Sequence, residues 1–362
     1  MVPSGKVHKK IPAAGIDVGF FSTKFTLGER LGPSGTEIVV DQFPSVAAEL
    51  DSPDLPTHGG SSSDDQAVAV SVNGGYFGVG KSVMSYLGMD GLVRTSNTDY
   101  CKSPAYSAFM LGAFFFMAKS SGCTGDLVIE NLTLGLPVNT IKVHHGYLKM
   151  LALGEHIIPS PSNISTPMTV IVQNVNVVAQ PQGAIVNLTS RISRKVKKQD
   201  QCLVLDMGGG TFDWFVCDGS LKPTYPKCGA TNIGALACAN RVCRSISPGC
   251  EEDTTTVDKI DTALRMGEST VSINGTEYQM SNYWPVVDLT LQKAITQMKN
   301  QVGTFVNLDH ILITGGGATI LERVFLRSYP ELAKITIVDQ EPVYSNVKGF
   351  LHISKIVSMH AK

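Results

Sequence analysis

Two aspartates in this chain each end an apolar run and are followed closely by glycine: Ile16-Asp17-Val18-Gly19 and Leu205-Asp206-Met207-Gly208. A tight glycine turn exposes backbone N–H groups and lets them approach phosphate oxygens closely. A carboxylate at the strand end would repel that phosphate unless a cation lay between them. Mg²⁺ meets this need, because it keeps several waters that carboxylates can accept from. Either turn alone is ordinary turn chemistry. The pair points to a magnesium-bound nucleotide held by two halves of the chain. A third stretch is Ile313-Thr314-Gly315-Gly316-Gly317-Ala318. Three glycines between a strand and a helix let a flat ligand lie against the backbone and leave the helix N-terminus open to an anion. By itself that stretch would also serve as a plain strand–helix turn.

One other stretch competes for the phosphate role. Gly75-Tyr76-Phe77-Gly78-Val79-Gly80-Lys81-Ser82 fits the P-loop pattern G-x(4)-G-K-[ST]. Its interior is bulky and apolar, Asn73-Gly74 makes it the return arm of a hairpin, and no strand ending in Asp follows nearby. The hairpin is therefore the stronger reading, with Lys81 on the surface. His144-His145 is the only histidine pair, and adjacent helical residues point apart, which disfavours a shared metal. The eight cysteines form no CxxC pair and no cluster at zinc spacing, so reduced thiols in a cytoplasmic protein are expected.

The elements that must position these residues follow from local pattern. Strands are expected at 13–17 and 23–27 around the first turn, and at 202–206 before the second. Ala67–Val72 and Gly75–Val79 form a hairpin on Asn73-Gly74. Ser103-Pro104 is a helix start, Ser as N-cap and Pro in the first turn, leading into apolar Phe109–Met117. Leu132–Pro137, Val170–Val172 and Val175–Val178 read as strands, and Pro181 opens a helix to about Leu188. Helices are expected near 234–244, 255–266, 285–302, 318–326 and 346–354, a hairpin at Asn274-Gly275, and strands at 311–313 and 335–338. Residues 51–66 are a low-complexity surface loop and 191–198 a basic linker between halves.

Composition excludes several classes. Lys and Arg number 30 against 31 Asp and Glu, giving a net charge of −1. That balance disfavours direct coating of nucleic acid or anionic lipid. No secretory h-region opens the sequence, and the longest apolar stretch, 105–118, is too short to span a bilayer. A length of 362 residues suggests two or three domains at roughly 100–200 residues each.

Taken in order, the three motifs resemble the actin superfamily of ATPases, over about residues 13–355. Ala14–Lys24 looks like its first phosphate loop, Leu205–Asp213 its second, and Ile313–Ala318 its adenosine motif. The likeness is nearest to the bacterial plasmid-partition actins of the ParM/StbA type, on the short length, Lys24 seven residues after Asp17, Leu134-Gly-Leu-Pro137 and Tyr344-Ser-Asn-Val-Lys-Gly-Phe350. Within that type, Asp17–Lys24 with Thr211-Phe-Asp-Trp214 is similar to the protein D family of PRTRC plasmid systems.

The resemblance implies an α/β, actin-like, two-lobed fold (a duplicated ribonuclease H-like unit) with nucleotide in the interlobe cleft. It implies a tail at 1–12, lobe I at 13–198 with an insertion at roughly 28–100, lobe II at 199–338 with an insertion at roughly 235–300, and a segment 339–362 returning to lobe I. Asp17 and Asp206 would hold Mg²⁺ through water. Gly19, Ser22, Thr23 and Lys24 would hold the β-phosphate side of ATP, and Gly208, Gly209, Gly210 and Thr211 the γ-phosphate side. Gly315, Gly316 and Gly317 would pack on adenosine, and Gln180 would orient the attacking water. Many bacterial relatives carry Glu at that position; an amide orients water but is no strong base. The expected function is Mg-ATP hydrolysis coupled to self-assembly into filaments that segregate plasmid DNA through an adaptor protein, in the cytoplasm and without a membrane. A non-polymerising relative (chaperone-like ATPase, scaffold or small-molecule kinase) is the alternative, and a P-loop NTPase a minor one.

Overall fold

The computed structural model describes residues 6–33, 35–55, 66–85, 99–159, 167–192 and 196–360. Most of the low-complexity loop and residues 193–195 of the basic run fall outside them. The chain divides into two compact units. The first comprises Met1–Leu136, Thr140–Ala179 and Val347–Lys362, the second Pro137–Asn139 and Gln180–Asn346.

In the first unit β1 (Lys9–Ile11), β2 (Ala14–Val18), β3 (Ser22–Gly32) and β4 (Gly35–Pro44) are followed by β5 (Ala48–Leu50), β6 (Ala67–Val72) and β7 (Gly75–Gly80). Then come α1 (Pro104–Ser120), β8 (Leu127–Leu136), α2 (Ile141–Ala152), β9 (Gly154–Ile158) and β10 (Met168–Ala179). The main sheet runs β4-β3-β2-β8-β10-β9. Strands β2, β3 and β4 are antiparallel neighbours, whereas β8 and β10 run parallel to β2. Strand β1 also pairs with β8, Lys9 opposite Leu127, so part of the expected tail is sheet. Lys10 pairs with Glu130 at 2.5 Å, and the short strand needs little apolar burial because the ladder itself holds it.

Helix α1 explains why its sequence is apolar on every side. Fourteen consecutive residues, Ala105–Ala118, are buried, because the helix lies between β2 and β3 on one side and β6 and β7 on another. A helix hydrophobic all round is a core helix. Ser103 Oγ accepts from Tyr106 N at its start, with Pro104 in the first turn, as the sequence indicates. Gly75–Gly80 is the return strand of a hairpin turning on Asn73 (φ 53°) and Gly74 (φ 83°). Lys81 pairs with Asp41 at 2.7 Å. The P-loop reading is thereby corrected: among the described residues Gly75–Gly80 is an extended hairpin strand followed by a single 3-10 turn, not a loop wrapped around a phosphate.

The second unit holds α3 (Gln180–Ile192), β11 (Gln201–Met207), β12 (Phe212–Asp218), β13 (Gly229–Thr231), α4 (Ala235–Ile246) and α5 (Thr254–Met266). It continues through β14 (Thr270–Ile273), β15 (Thr276–Gln279), α6 (Trp284–Val302), β16 (His310–Thr314), α7 (Ala318–Ser328) and β17 (Thr336–Val338). Its sheet runs β13-β12-β11-β16-β17. The first three strands are antiparallel neighbours and the last two run parallel to β11. The first unit has the same order and directions over β4-β3-β2-β8-β10. One design thus occurs twice, as the paired Asp–Gly turns suggested.

Helix α8 (Ser345–His360) closes the described chain. From Val347 it belongs to the first unit, where Ser354 Oγ donates to Ala14 O at 2.8 Å. A side chain at Gly15 would come within 2.8 Å of Phe350 Cβ, so glycine is what lets this helix lie on β2. The division between units falls at Gln180 rather than after Lys198. Helix α3 packs on β11 and β12, and a buried apolar face goes with the sheet that covers it. The two strands expected at 170–178 are one, β10, and α2 and β9 lie between it and β8 in sequence. The region expected as an insertion at 28–100 begins with β3 and β4 continuing in the main sheet; among the described residues the small sheet β5-β7-β6 stands apart.

Candidate functional site

In the first unit Asp17 lies on the central strand β2 and is 3 % exposed. Lys24 faces it across the β2–β3 ladder, Nζ to Oδ2 at 3.5 Å. Burying a carboxylate costs heavily unless a cation or donors accompany it, and Lys24 supplies the positive charge. The turn between the strands closes through Gly19 N donating to Ser22 O at 3.1 Å. Behind the turn, Ser45 Oγ donates to Gly19 O at 2.7 Å and Ser45 N to Phe21 O at 2.9 Å. Tyr100 Oη is also 3.5 Å from Gly19 O; burial, with a smaller contribution from Asp17, pushes its hydroxyl pKa well up, so it stays a donor. Thr23 Oγ1 lies 3.0 Å from Ser45 Oγ, which places Thr23 in the support of the turn.

Each secured carbonyl has a consequence. A trans peptide points its N–H opposite to its C=O. With the carbonyls of Gly19 and Phe21 held from behind, the amides of Phe20 and Ser22 point the other way. Backbone amides aimed in one direction favour an anion in front of them.

The second unit repeats the arrangement. Asp206 is the penultimate residue of β11 and is 6 % exposed. Gly208 N donates to Thr211 O at 2.9 Å, the counterpart of the Gly19–Ser22 bond. Here the N-terminus of α4 holds the turn from behind: Ala235 N donates to Gly208 O and Leu236 N to Gly209 O, both at 3.0 Å. The amides of Gly209 and Gly210 therefore point away from α4. A Cβ at Gly234 would sit 2.4 Å from Gly209 O, so that glycine allows the approach.

Where Lys24 faces Asp17 in the first unit, Asp213 faces Asp206 in the second. Asp213 is 2 % exposed and accepts from Val138 N at 2.7 Å. Burial first, and the neighbouring Asp206 second, raise its pKa to about 7. The sequence displayed Asp213 inside the second motif without giving it a role; its spacing from Asp206, the same as that of Lys24 from Asp17, was the available signal. Asn346 was missed as well, and its Nδ2 donates to Asp206 Oδ2 at 2.7 Å.

The glycine run after β16 abuts the same carboxylate. Gly315 has φ +88°, and a Cβ there would lie 2.4 Å from both Asp206 Oδ1 and Met207 O. Gly317 N donates to Met207 O at 2.8 Å, and its missing side chain makes room for the Met207 side chain. Gly316 has open space where a Cβ would stand. Replacing Gly315 by alanine combines a left-handed backbone with overpacking, and an expected loss on the order of 2–4 kcal/mol follows. Urea unfolding of the variant checks it. Gln180 is the first residue of α3, half-buried, with Pro181 next to it.

Among the described residues no group of three or more His, Cys, Asp or Glu could hold a metal. Mg²⁺ does not need one, being held by one or two carboxylates plus waters and substrate phosphates. The second unit's donor set fits such an ion: two buried carboxylates side by side repel each other, and the buried Asn346 Oδ1 has no hydrogen-bond partner among the described residues. No described helix is long and apolar enough to cross a membrane.

Residues 15–183 match the family model for the N-terminal domain of actin-like proteins. Residues 196–353 match the model described as plasmid segregation protein ParM, C-terminal. No curated protein matches the chain by sequence. Among solved structures it is similar to the actin-like protein Alp7A, at 16 % identity and TM-score 0.72, covering 98 % of each chain. Bacillus thuringiensis ParM with ATP is similar at 12 % identity and TM-score 0.62, over 96 % of this chain and 99 % of that one. The Alp12 filament structure is similar at 14 % identity and TM-score 0.62, over 95 % and 98 %. These likenesses show an actin-like fold.

Proposed function

We propose, since this chain belongs to the actin-like proteins of the ParM type, that it binds and hydrolyses Mg²⁺·ATP and assembles with copies of itself into filaments. One observation carries the reading. The same turn occurs in both units, with Asp, Gly and a hydroxyl residue at identical spacing (17, 19, 22 and 206, 208, 211) and the same Gly-to-hydroxyl-residue backbone bond. Two such turns suit a ligand with several phosphates and a divalent cation.

On this reading Asp17 and Asp206 accept hydrogen bonds from cation-bound waters. The amides near Gly19 and Ser22, with Lys24, take the β-phosphate side, and Thr23 steadies that turn from behind through Ser45. Those of Gly208, Gly209, Gly210 and Thr211 take the γ-phosphate side. Gly315, Gly316 and Gly317 pack on adenosine, and Gln180 orients the attacking water. When bound, the cation neutralises charge that builds on the phosphate oxygens. The protein's part is positioning and electrostatic stabilisation, as phosphoryl transfer requires. A head-to-tail contact that repeats without closing gives a helical polymer. In the cytoplasm such a polymer would move plasmid DNA through a separate adaptor protein, which suits a chain of net charge −1. Support comes from the relatives: one is seen with ATP and another as a filament.

Light scattering and phosphate release after adding ATP and Mg²⁺ test the proposal. A rise in scattering that decays as phosphate appears is the expected result. Phosphate release without scattering would replace the filament with a chaperone-like ATPase or a kinase. Neither signal would leave a scaffold.

A further inference from the structure

Asn346 stands at the second position of α8 and is 8 % exposed. Its amide is used at one end only. Nδ2 donates to Asp206 Oδ2 at 2.7 Å, whereas Oδ1 is buried and meets no donor among the described residues. The orientation follows from the partner: an ionised carboxylate only accepts, so the NH₂ group must face it. A buried acceptor left without a donor is costly, and native interiors rarely keep one without reason.

The side chain is also held firmly. Ser345 Oγ donates to Asp339 Oδ2 at 2.5 Å and accepts from Asn187 Nδ2 at 3.3 Å. Arg191 approaches Asp339 Oδ1 at 3.4 Å. Asp339 N donates to Ile313 O at 3.0 Å, and Gly315 N and Thr314 Oγ1 both donate to Pro342 O. The segment 339–346 is thus fixed to the end of β16, beside the glycines that border Asp206. An amide this well anchored can orient a carboxylate.

Resting on the nucleotide reading above, we infer that Asn346 is a positioning residue of the cation site: it orients the Asp206 carboxylate through Nδ2 and offers Oδ1 to a hydrogen of a cation-bound water. A hydrated divalent ion presents strongly polarised O–H donors, which is what the orphaned oxygen lacks. Groups that orient a metal-binding carboxylate typically matter 10–100-fold for metal affinity.

The test is equilibrium binding of a fluorescent ATP analogue, titrated with Mg²⁺ and repeated in EDTA, for the full chain and for Asn346→Ala and Asn346→Leu. Leucine fills nearly the same volume without polar atoms, so it separates packing from hydrogen bonding. The Mg²⁺ midpoint is expected to rise about tenfold in both variants, with affinity in EDTA held within about twofold. A wild-type midpoint in the leucine variant would reduce Asn346 to packing and overturn the inference, as would an unchanged midpoint in both. If the unaltered chain binds the analogue with Mg²⁺ and the variants still show no shift, the inference alone fails. If the unaltered chain binds no nucleotide, the functional reading fails with it.

Discussion

Asp206→Asn is expected to lower Mg²⁺-dependent phosphate release by about a thousandfold, comparable to removing a main electrostatic contact in a transition state. Asparagine keeps the volume and can still accept, so the fold should survive while the negative charge goes. The site makes that charge hard to replace. Asp206 is buried at the end of a central strand, one oxygen bonded to Asn346 and the other against Gly315. Even a methyl group at 315 would collide with the carboxylate. Asp17→Asn should act in the same direction and also leave Lys24 without its partner at 3.5 Å. Phosphate release, together with analogue binding with and without Mg²⁺, measures both variants. Turnover and affinity unchanged in the Asp17 and Asp206 variants would end the nucleotide interpretation.

The two turns are legible in the sequence because they are local. A strand ending in Asp and followed by glycine announces its own turn, and the Gly-x-x backbone bond at each turn spans only four residues. The repeated strand order follows from the same local units. What sequence hid were the long-range supports. Ser45 and Tyr100 secure Gly19 from positions far along the chain, and Asn346 reaches Asp206 from the last helix. No periodicity carries such information. Strand β1 was hidden for another reason: its lysines are exposed and its stability lies in the ladder to β8. Helix α3 reads in sequence as part of the first half because its partner strands β11 and β12 come after it, across a basic run that looks like a boundary.

In the absence of divalent cations, the stability of the protein should fall as pH rises from about 4 to about 7, and Asp213 is the reason. Its ordinary value is 3.8, and in the folded chain burial and Asp206 raise it to about 7. Between those values the folded state holds a proton that the unfolded state has lost. Stability then declines with rising pH and levels off above the folded value. The span corresponds to a few kcal/mol at about 1.4 kcal/mol per pH unit. Asp213→Asn removes the titration and keeps an acceptor for Val138 N–H. Urea unfolding at pH 4.5, 6 and 8 should give nearly equal stability for the two proteins at the lowest pH and a more stable variant at the highest. Parallel curves would remove Asp213 as the cause. Asp206→Asn provides the second control: with the like charge gone, burial alone sustains the shift, so the decline should finish at a lower pH without disappearing.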